Sequence, residues 1–421
     1  MKFQLALAWK NLFRHRRRTL ITACAIAAGL AMFIYMDSIL SGISLETERN
    51  LVWYETGGGK IMKEMFWEER DQYPIKHSIE NKEAIFSVLE EMAIPATGRV
   101  AFSGEMIMFK DPFPEHGSIQ MRFAAIDPEK DKDVYKLHDS VVEGRWLETG
   151  ENGILLGAWL AEDLGAEVGY PVTVVTRTKH GFFQTMDLTI VGLLNTPNPQ
   201  INRSIAYMTL GTADTYLQME GAVSEIAMAF SDITRAPERT AEVETALQEA
   251  GLVQEHELKV VSWKDLARDY LQIASAKNVS SKVILFLVFV IAAVGISNTM
   301  LMAVYERVRE LGMMRALGME AKQIRRSFLL EAGGIGLLGS ILGVIAGVLI
   351  NIPMVNRGID ISMFARDMDI GYRVAGAMRG TWNVSTIITA FLAGILIAVV
   401  VAAIPTRKAL KMEITDCLRY Q

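Results

Sequence analysis

Four stretches of this chain, residues 19–40, 283–304, 328–352 and 384–404, are apolar over about the 20 residues that a bilayer core demands of a helix. A helix buried in a water-soluble core rarely runs this long without a charge, so the windows predict four transmembrane helices. They are unevenly spaced. Residues 41–280 separate the first from the second and form a polar insert long enough for a core of its own. The predicted fold class is therefore a membrane protein of four transmembrane α-helices, with a large α/β extracytoplasmic domain inserted between the first and second.

The first window could be mistaken for a cleaved signal, because basic residues precede it and "ITAC" imitates a lipoprotein cleavage box ending at Cys24. Only Thr19 to Ile21 separate Arg18 from that box, and apolar sequence continues to Tyr35, so the segment reads as a retained anchor. Orientation follows from charge. Residues 1–18 carry Lys2, Lys10, Arg14, Arg16, Arg17 and Arg18 without an acid, and residues 305–327 carry a second basic cluster. Both belong in the cytoplasm. The 353–383 loop then falls outside with the insert, and the 405–421 tail inside. The insert holds 38 acidic against 22 basic residues, while the rest of the chain is basic. Both cysteines, Cys24 and Cys417, lie outside the insert, which must stand without a disulfide.

Within the insert the pattern is mixed. "GRVAFSGEMIMF" reads as two short strands about a Ser-Gly turn, and "YPVTVVTRTKHGFFQTMDLTIVGLL" as a hairpin with its tip near Lys179–Gly181. "NKEAIFSVLEEM" and "PERTAEVETALQEAG" have helical spacing, the second stopped by Gly251. "ENGILLGAWLAEDLGAEVGYPVTVV" predicts strand, short helix and strand. "SWKDLARDYLQIASAKN" predicts an amphipathic helix running into the second span.

No stretch reads as catalytic. "TGGGK" (Thr56–Lys60) lacks the first glycine and the hydroxyl of a phosphate loop, with Tyr54 and Ile61 in their places, and is expected as a turn and strand. The histidines show no metal-ligand spacing. No cofactor is expected in this chain, and no nucleic acid as partner. The spans instead carry small residues at every fourth position: Gly339, Gly343 and Gly347 in the third, Ala390, Gly394, Ala398 and Ala402 in the fourth. Such faces let helix backbones approach closely. Glu331, in the first turn of the third span, must be paired or wet.

"NTMLMAVYERVRELGMMRALGMEAKQIRRSFLLEAGGIGLLG" closely resembles the segment that marks the FtsX/MacB superfamily of ABC-transporter permeases. The matching residues are Asn298, Glu306, Arg307, Arg309, Glu310, Leu311, Gly312, Arg315, Ala316, Leu317 and Gly318. The resemblance implies a coupling helix, with Met314 also on it, that docks on a separate cytoplasmic ABC ATPase dimer, the subunit that binds ATP and Mg. "LAWKNLFRHRRRTLITACAIAAGLAMFI" is similar to the superfamily's amphipathic entry helix and first span, and "IPTRKALKMEITDCLR" to its closing tail. "GGGKIM", "SVVEGRWLETGENGILLGAWLAEDLGAEVG" and "RSIAYMTLGTADTYLQMEG" look most like the lipoprotein-releasing LolC/LolE group.

The resemblance implies a non-catalytic permease in a bacterial inner membrane, paired with a second permease subunit in a homo- or heterodimer. It would work by mechanotransmission on lipoprotein cargo from the outer leaflet. Met32, Phe33, Met36, Phe286 and Phe289 are candidate walls of a cargo cavity, and equally candidates for contact with membrane lipids. The hairpin "TRTKHGFFQTM" is short and lacks the proline of the group's chaperone-recruiting hook, which leaves a periplasmic chaperone open as a partner. Alternatives within the superfamily are MacB-like efflux of soluble substrates and FtsX-like signalling to a cell-wall hydrolase.

Overall fold

The computed structural model describes residues 16–108, 118–272, 308–360 and 377–410, with isolated helical positions between 283 and 302. Residues 1–15 of the expected entry helix, most of the second span, the "ISMFARDMDIGYRV" stretch and residues 411–421 lie outside the described residues. The chain divides into two compact units. One is drawn from both ends of the chain, and the other comprises Glu46–Gln272.

Three helices among the described residues are long and apolar enough to cross a membrane. The first, α1, spans Arg16–Leu51 and so continues well past the expected end at Leu40. It presents Ala23, Ile26, Leu30 and Ile34 inward at helical spacing. From its end the chain enters the second unit, whose sheet has ten strands. In chain order this unit comprises β1 (Gly59–Lys63), α2 (Lys82–Glu91), β2 (Ala96–Ile107), β3 (Ser118–Ile126), β4 (Val141–Gly144), β5 (Gly153–Gly157), α3 (Ala158–Leu164), β6 (Pro171–Arg177), β7 (Phe183–Leu194), β8 (Ile205–Thr209), β9 (Glu225–Met228), α4 (Ala236–Glu249) and β10 (Leu258–Ser262), with short helical turns between them. Beyond it lie α5 (Val308–Ala316), α6 (Ala321–Asn356) and α7 (Val384–Leu410).

The strand order is β10-β1-β9-β2-β3-β8-β5-β7-β4, with β6 beside β2 and β7. The β3/β8 and β5/β7 pairs are parallel. Several apolar clusters cover the sheet, of which two are the largest. One gathers Val100, Phe102, Phe123, Ile154, Val174 and Leu188 over α3. In it the directly paired Phe102 and Phe123 stack with ring centroids 5.2 Å apart. The other packs Ile85 and Leu89 of α2 and Val243 and Leu247 of α4 against Ile61, Ile226 and Leu258.

Two sequence expectations are corrected here. "GRVAFSGEMIMF" contains no turn: β2 runs straight through Ser103–Gly104. The glycine serves close approach, since a Cβ on Gly104 would lie 2.8 Å from the Val175 carbonyl oxygen of β6. The helix beginning at Trp263 is not continuous either. It closes at Leu266, Ala267 steps out of helical geometry, and helix resumes at Arg268.

In the membrane unit, small residues set the spacing. A Cβ on Gly339 would meet Ile26 at 2.8 Å, on Gly343 Leu30 at 2.9 Å, and on Gly347 Ile34 at 3.1 Å, so α6 lies against α1 at the distance glycine permits. Ala390, Ala398 and Ala402 of α7 are buried in the same cluster, and a Cβ on Gly394 would collide with Ser340 and Leu30. At one end of the bundle the contacts turn polar. The Ser38 hydroxyl donates to the Thr381 carbonyl (2.9 Å), and the Thr381 amide returns a bond to the Ser38 carbonyl (3.1 Å). Asn383 donates to the Asp37 carboxylate (3.2 Å) and Asn351 to the Ile34 carbonyl (3.3 Å). Asp37 is thus held by a neighbour. Glu331 is buried and engaged.

Candidate functional site

The segment between the second and third apolar windows forms α5, and its termination explains its glycine. Gly318 takes φ +89°, which glycine adopts without steric cost. Its amide donates to the Arg315 carbonyl (3.1 Å), and the Met319 amide donates to the Met314 carbonyl (3.0 Å). This paired closure is a Schellman motif. Met314 and Met319 both pack against Ile324 and Phe328 of α6. The chain then starts α6 through a capping box between Glu320 and Gln323.

This closure sorts the apolar residues of the segment. Met314, expected on the docking face with Leu311 and Leu317, is turned instead into its own chain. Leu317 stands at the tip, 88% exposed, and Met313 is 48% exposed. Met313 is the residue that sequence reasoning missed. The signal was available: with Gly318 just past the helix end, residue 314 must face residue 319, and its neighbour 313 is then free to face outward. Ala316 is exposed, and Arg315 is half-buried and engaged. Glu306 and Arg307 lie outside the described residues, as do the side chains of Arg309, Glu310 and Leu311; Gly312 is placed only as a helical position.

Of the candidate cavity residues, Met32 and Met36 are exposed on α1 and Phe286 is exposed at its isolated position. Phe33 packs at the edge of the bundle cluster, and Phe289 lies outside the described residues.

In the second unit, the hairpin tip forms where expected. Gly181 sits at φ +86°, and the Thr178 amide donates to the Phe182 carbonyl (2.8 Å). Phe182 and Phe183 are both exposed there. The "TGGGK" stretch is a turn followed by β1, as its residues suggested. Behind it lies a buried polar group of side chains. Arg99 grips Asp131 with two hydrogen bonds (2.8 and 2.9 Å), and its guanidinium lies 3.4 Å from the Tyr135 ring centroid. Burial works against the charge on Arg99, but Asp131 more than offsets it and holds the guanidinium above its ordinary range. Burial also pushes the Tyr135 phenol well up, so its hydroxyl remains a donor, yet among the described residues it has no hydrogen-bond partner. Closer to α1, Glu55 accepts from Asn198 (2.9 Å) and lies 3.8 Å from Arg122, whose guanidinium donates to the Tyr73 hydroxyl (3.0 Å).

Apolar helices packed through glycine, an α/β domain that follows the first of them, and a short capped helix before the next are the features that the comparisons with known proteins address. The FtsX-like permease C-terminal family matches residues 282–414. The lipoprotein-releasing system transmembrane protein LolC of Neisseria meningitidis serogroup B is 26% identical over 339 residues, spanning 79% of this chain and 76% of its own length. An uncharacterized ABC transporter permease of Methanocaldococcus jannaschii is 23% identical over 423 residues, spanning 99% of this chain and 97% of its own. Among solved structures, the periplasmic region of MacB from Actinobacillus actinomycetemcomitans aligns with 52% of this chain and 95% of that one, at a TM-score of 0.36 and 15% identity. Residues 282–414 thus match the FtsX-like permease C-terminal family, and over most of its length the chain is similar to ABC-transporter permeases, LolC among them.

Proposed function

We propose that this chain is the non-catalytic permease subunit of an ABC transporter that extracts lipoproteins from the outer leaflet of the membrane, with Glu46–Gln272 outside and α5 in the cytoplasm. One observation carries the coupling part of this reading. α5 ends in a rigid turn that spends Met314 and Met319 on internal packing and leaves Leu317 and Met313 exposed at its tip. An apolar tip held this firmly, between membrane segments and next to the basic residues Lys322, Arg325 and Arg326, suits docking in a cleft of a partner protein. The partner is an ATPase dimer, and its closure on ATP would load α5. Lipoprotein cargo is supported by the LolC relative.

The test replaces Leu317 and Met313 with serine in the full chain, expressed in its native host so that the host's own ABC ATPase can co-purify. Buried apolar anchors of an interface commonly cost more than 1 kcal/mol when truncated, so the pair should weaken ATPase co-purification by about tenfold or more. Membrane insertion should be unchanged, because Leu317 is almost fully exposed and Met313 about half exposed. Wild-type recovery of the ATPase by the double variant would remove the docking reading. Recovery of lipidated protein with the wild-type complex checks the cargo.

A further inference from the structure

We propose that the Val52–Gly57 turn, where α1 runs into the sheet, is a two-position latch held by Glu55 in the position seen here. α1 does not end in an ordinary cap. The Gly57 amide donates to the Val52 carbonyl, five residues back (3.1 Å), which makes residues 52–56 a π-turn. Such a turn is less favourable than the α-helix it interrupts and persists only where its surroundings hold it. Gly57 follows at φ +66° and ψ −171°, a region essentially closed to residues with a side chain. A Cβ there would also lie 3.0 Å from the Met228 carbonyl oxygen.

The holding contacts can be named. Val52 is buried with Ala236, Trp263 and Ala267. The Trp53 ring has the Arg49 guanidinium 4.3 Å from its centroid and the Lys136 ammonium at 3.7 Å, and its carbonyl accepts the Lys136 amide (2.9 Å). Glu55 supplies the charged contact through Asn198 and Arg122. Tyr73, which holds Arg122, is itself at φ +51°.

Two hydrogen-bonding groups point to a second position. The Thr56 hydroxyl has one proton and two carbonyls in reach, Leu51 on the helix side (3.2 Å) and Gly57 on the strand side (2.9 Å). The Tyr135 hydroxyl is buried without a partner among the described residues, 3.4 Å from where a Gly57 Cβ would stand. The Gly57 carbonyl has two lone pairs, so a shift of the turn that brings it within reach of Tyr135 would let it accept the Tyr135 O–H, and the Thr56 proton can pass to Leu51 as the turn moves. The second position thus satisfies the orphan hydroxyl, and it requires Glu55 to let the turn move. The latch deepens the permease reading and rests on it in one respect: movement of α1 is what would load it.

The experiment is hydrogen exchange on the full chain in lipid nanodiscs, with neither ATPase nor cargo, comparing residues 51–58 with β1. In wild type the turn should exchange about tenfold or more faster than β1, as expected of a segment that opens on its own. Glu55→Gln should speed exchange of the turn about tenfold, and Tyr135→Phe should slow it, with β1 and the thermal midpoint unchanged in both. Opposite directions are the signature, because a static anchor would be loosened or left alone by either change. Turn and β1 exchanging in step in all three proteins would overturn the latch, as would equal acceleration by both variants. Either outcome leaves the permease reading standing, since that reading falls or stands on ATPase recovery.

Discussion

The two units are held together by opposite means. The sheet domain fills its interior with large side chains, stacking Phe102 on Phe123, and even encloses an ion pair between Arg99 and Asp131. The membrane bundle instead removes side chains from its interior, so that Gly339, Gly343 and Gly347 lie against the backbone and Cβ atoms of α1. The solvent explains the difference. In water, burying apolar area drives packing. In lipid that drive is missing between helices, and close van der Waals contact must replace it. A domain of the first kind breaks when atoms are taken away. A bundle of the second kind breaks when they are added.

The largest effect should come from half-removing the buried pair. Arg99→Met leaves the Asp131 carboxylate enclosed and unpaired, which typically costs about 3–5 kcal/mol. Adding Asp131→Leu should return much of that loss, by chemical denaturation of the full chain monitored in the domain. If the double variant is as unstable as the single one, the pair contributes more than mutual compensation. The bundle gives a smaller effect of the opposite kind. Gly343→Ala pushes a methyl to 2.9 Å from Leu30 and 3.0 Å from the Ala27 backbone, and overpacking of this sort costs about 1–3 kcal/mol. Gly29→Ala is its control, because among the described residues nothing lies within 4 Å of that Cβ position. There the methyl should be neutral or gain the helix preference of alanine, about 0.5–1 kcal/mol. Equal effects at Gly29 and Gly343 on thermal stability in detergent would sink the contrast.

The smallest effect concerns acid. Glu151 is partly buried, which works against its charge, but hydrogen bonds from Arg145 and the Glu148 amide leave its carboxyl below the ordinary range. Glu80 is lowered by its hydrogen bond from Lys179. A depressed folded value contributes stability that is present above the unfolded value, about 4.3 for glutamate, and is lost as pH falls through the lowered one. The thermal midpoint of the domain should therefore be flat on this account from neutral pH to about 5 and decline below about 4. Glu151→Gln should flatten part of that decline, and an unchanged acid limb would show that the pair is only solvated surface.

The membrane unit was far more legible in the sequence than the domain. Apolar length and every-fourth glycine are local patterns that state their own purpose, and Gly318 marked the end of α5 for the same reason. The sheet order was not legible, because β1 pairs with β9 and β10 from the far end of the insert and no local pattern encodes such partners. Ser103–Gly104 misled because the same dipeptide serves a turn and a close approach equally well, and only the neighbouring strand decides. Met314 and Met313 differ by one position, and the choice between them hung on the closing hydrogen bonds. The Glu55 group could not be read at all, since Tyr73, Arg122 and Asn198 come together only once the sheet exists.

The polar end of the bundle also sets a timetable. The bonds from Ser38 to Thr381 and from Asn383 to Asp37 join residues 343 and 346 positions apart in the chain. α1 therefore waits for these partners while the chain between them is made, which at about 5–20 residues per second is tens of seconds. Every partner of the sheet has by then left the ribosome. The domain can finish folding while the bundle is still open, and α7 closes a membrane unit around a helix that entered the bilayer long before it.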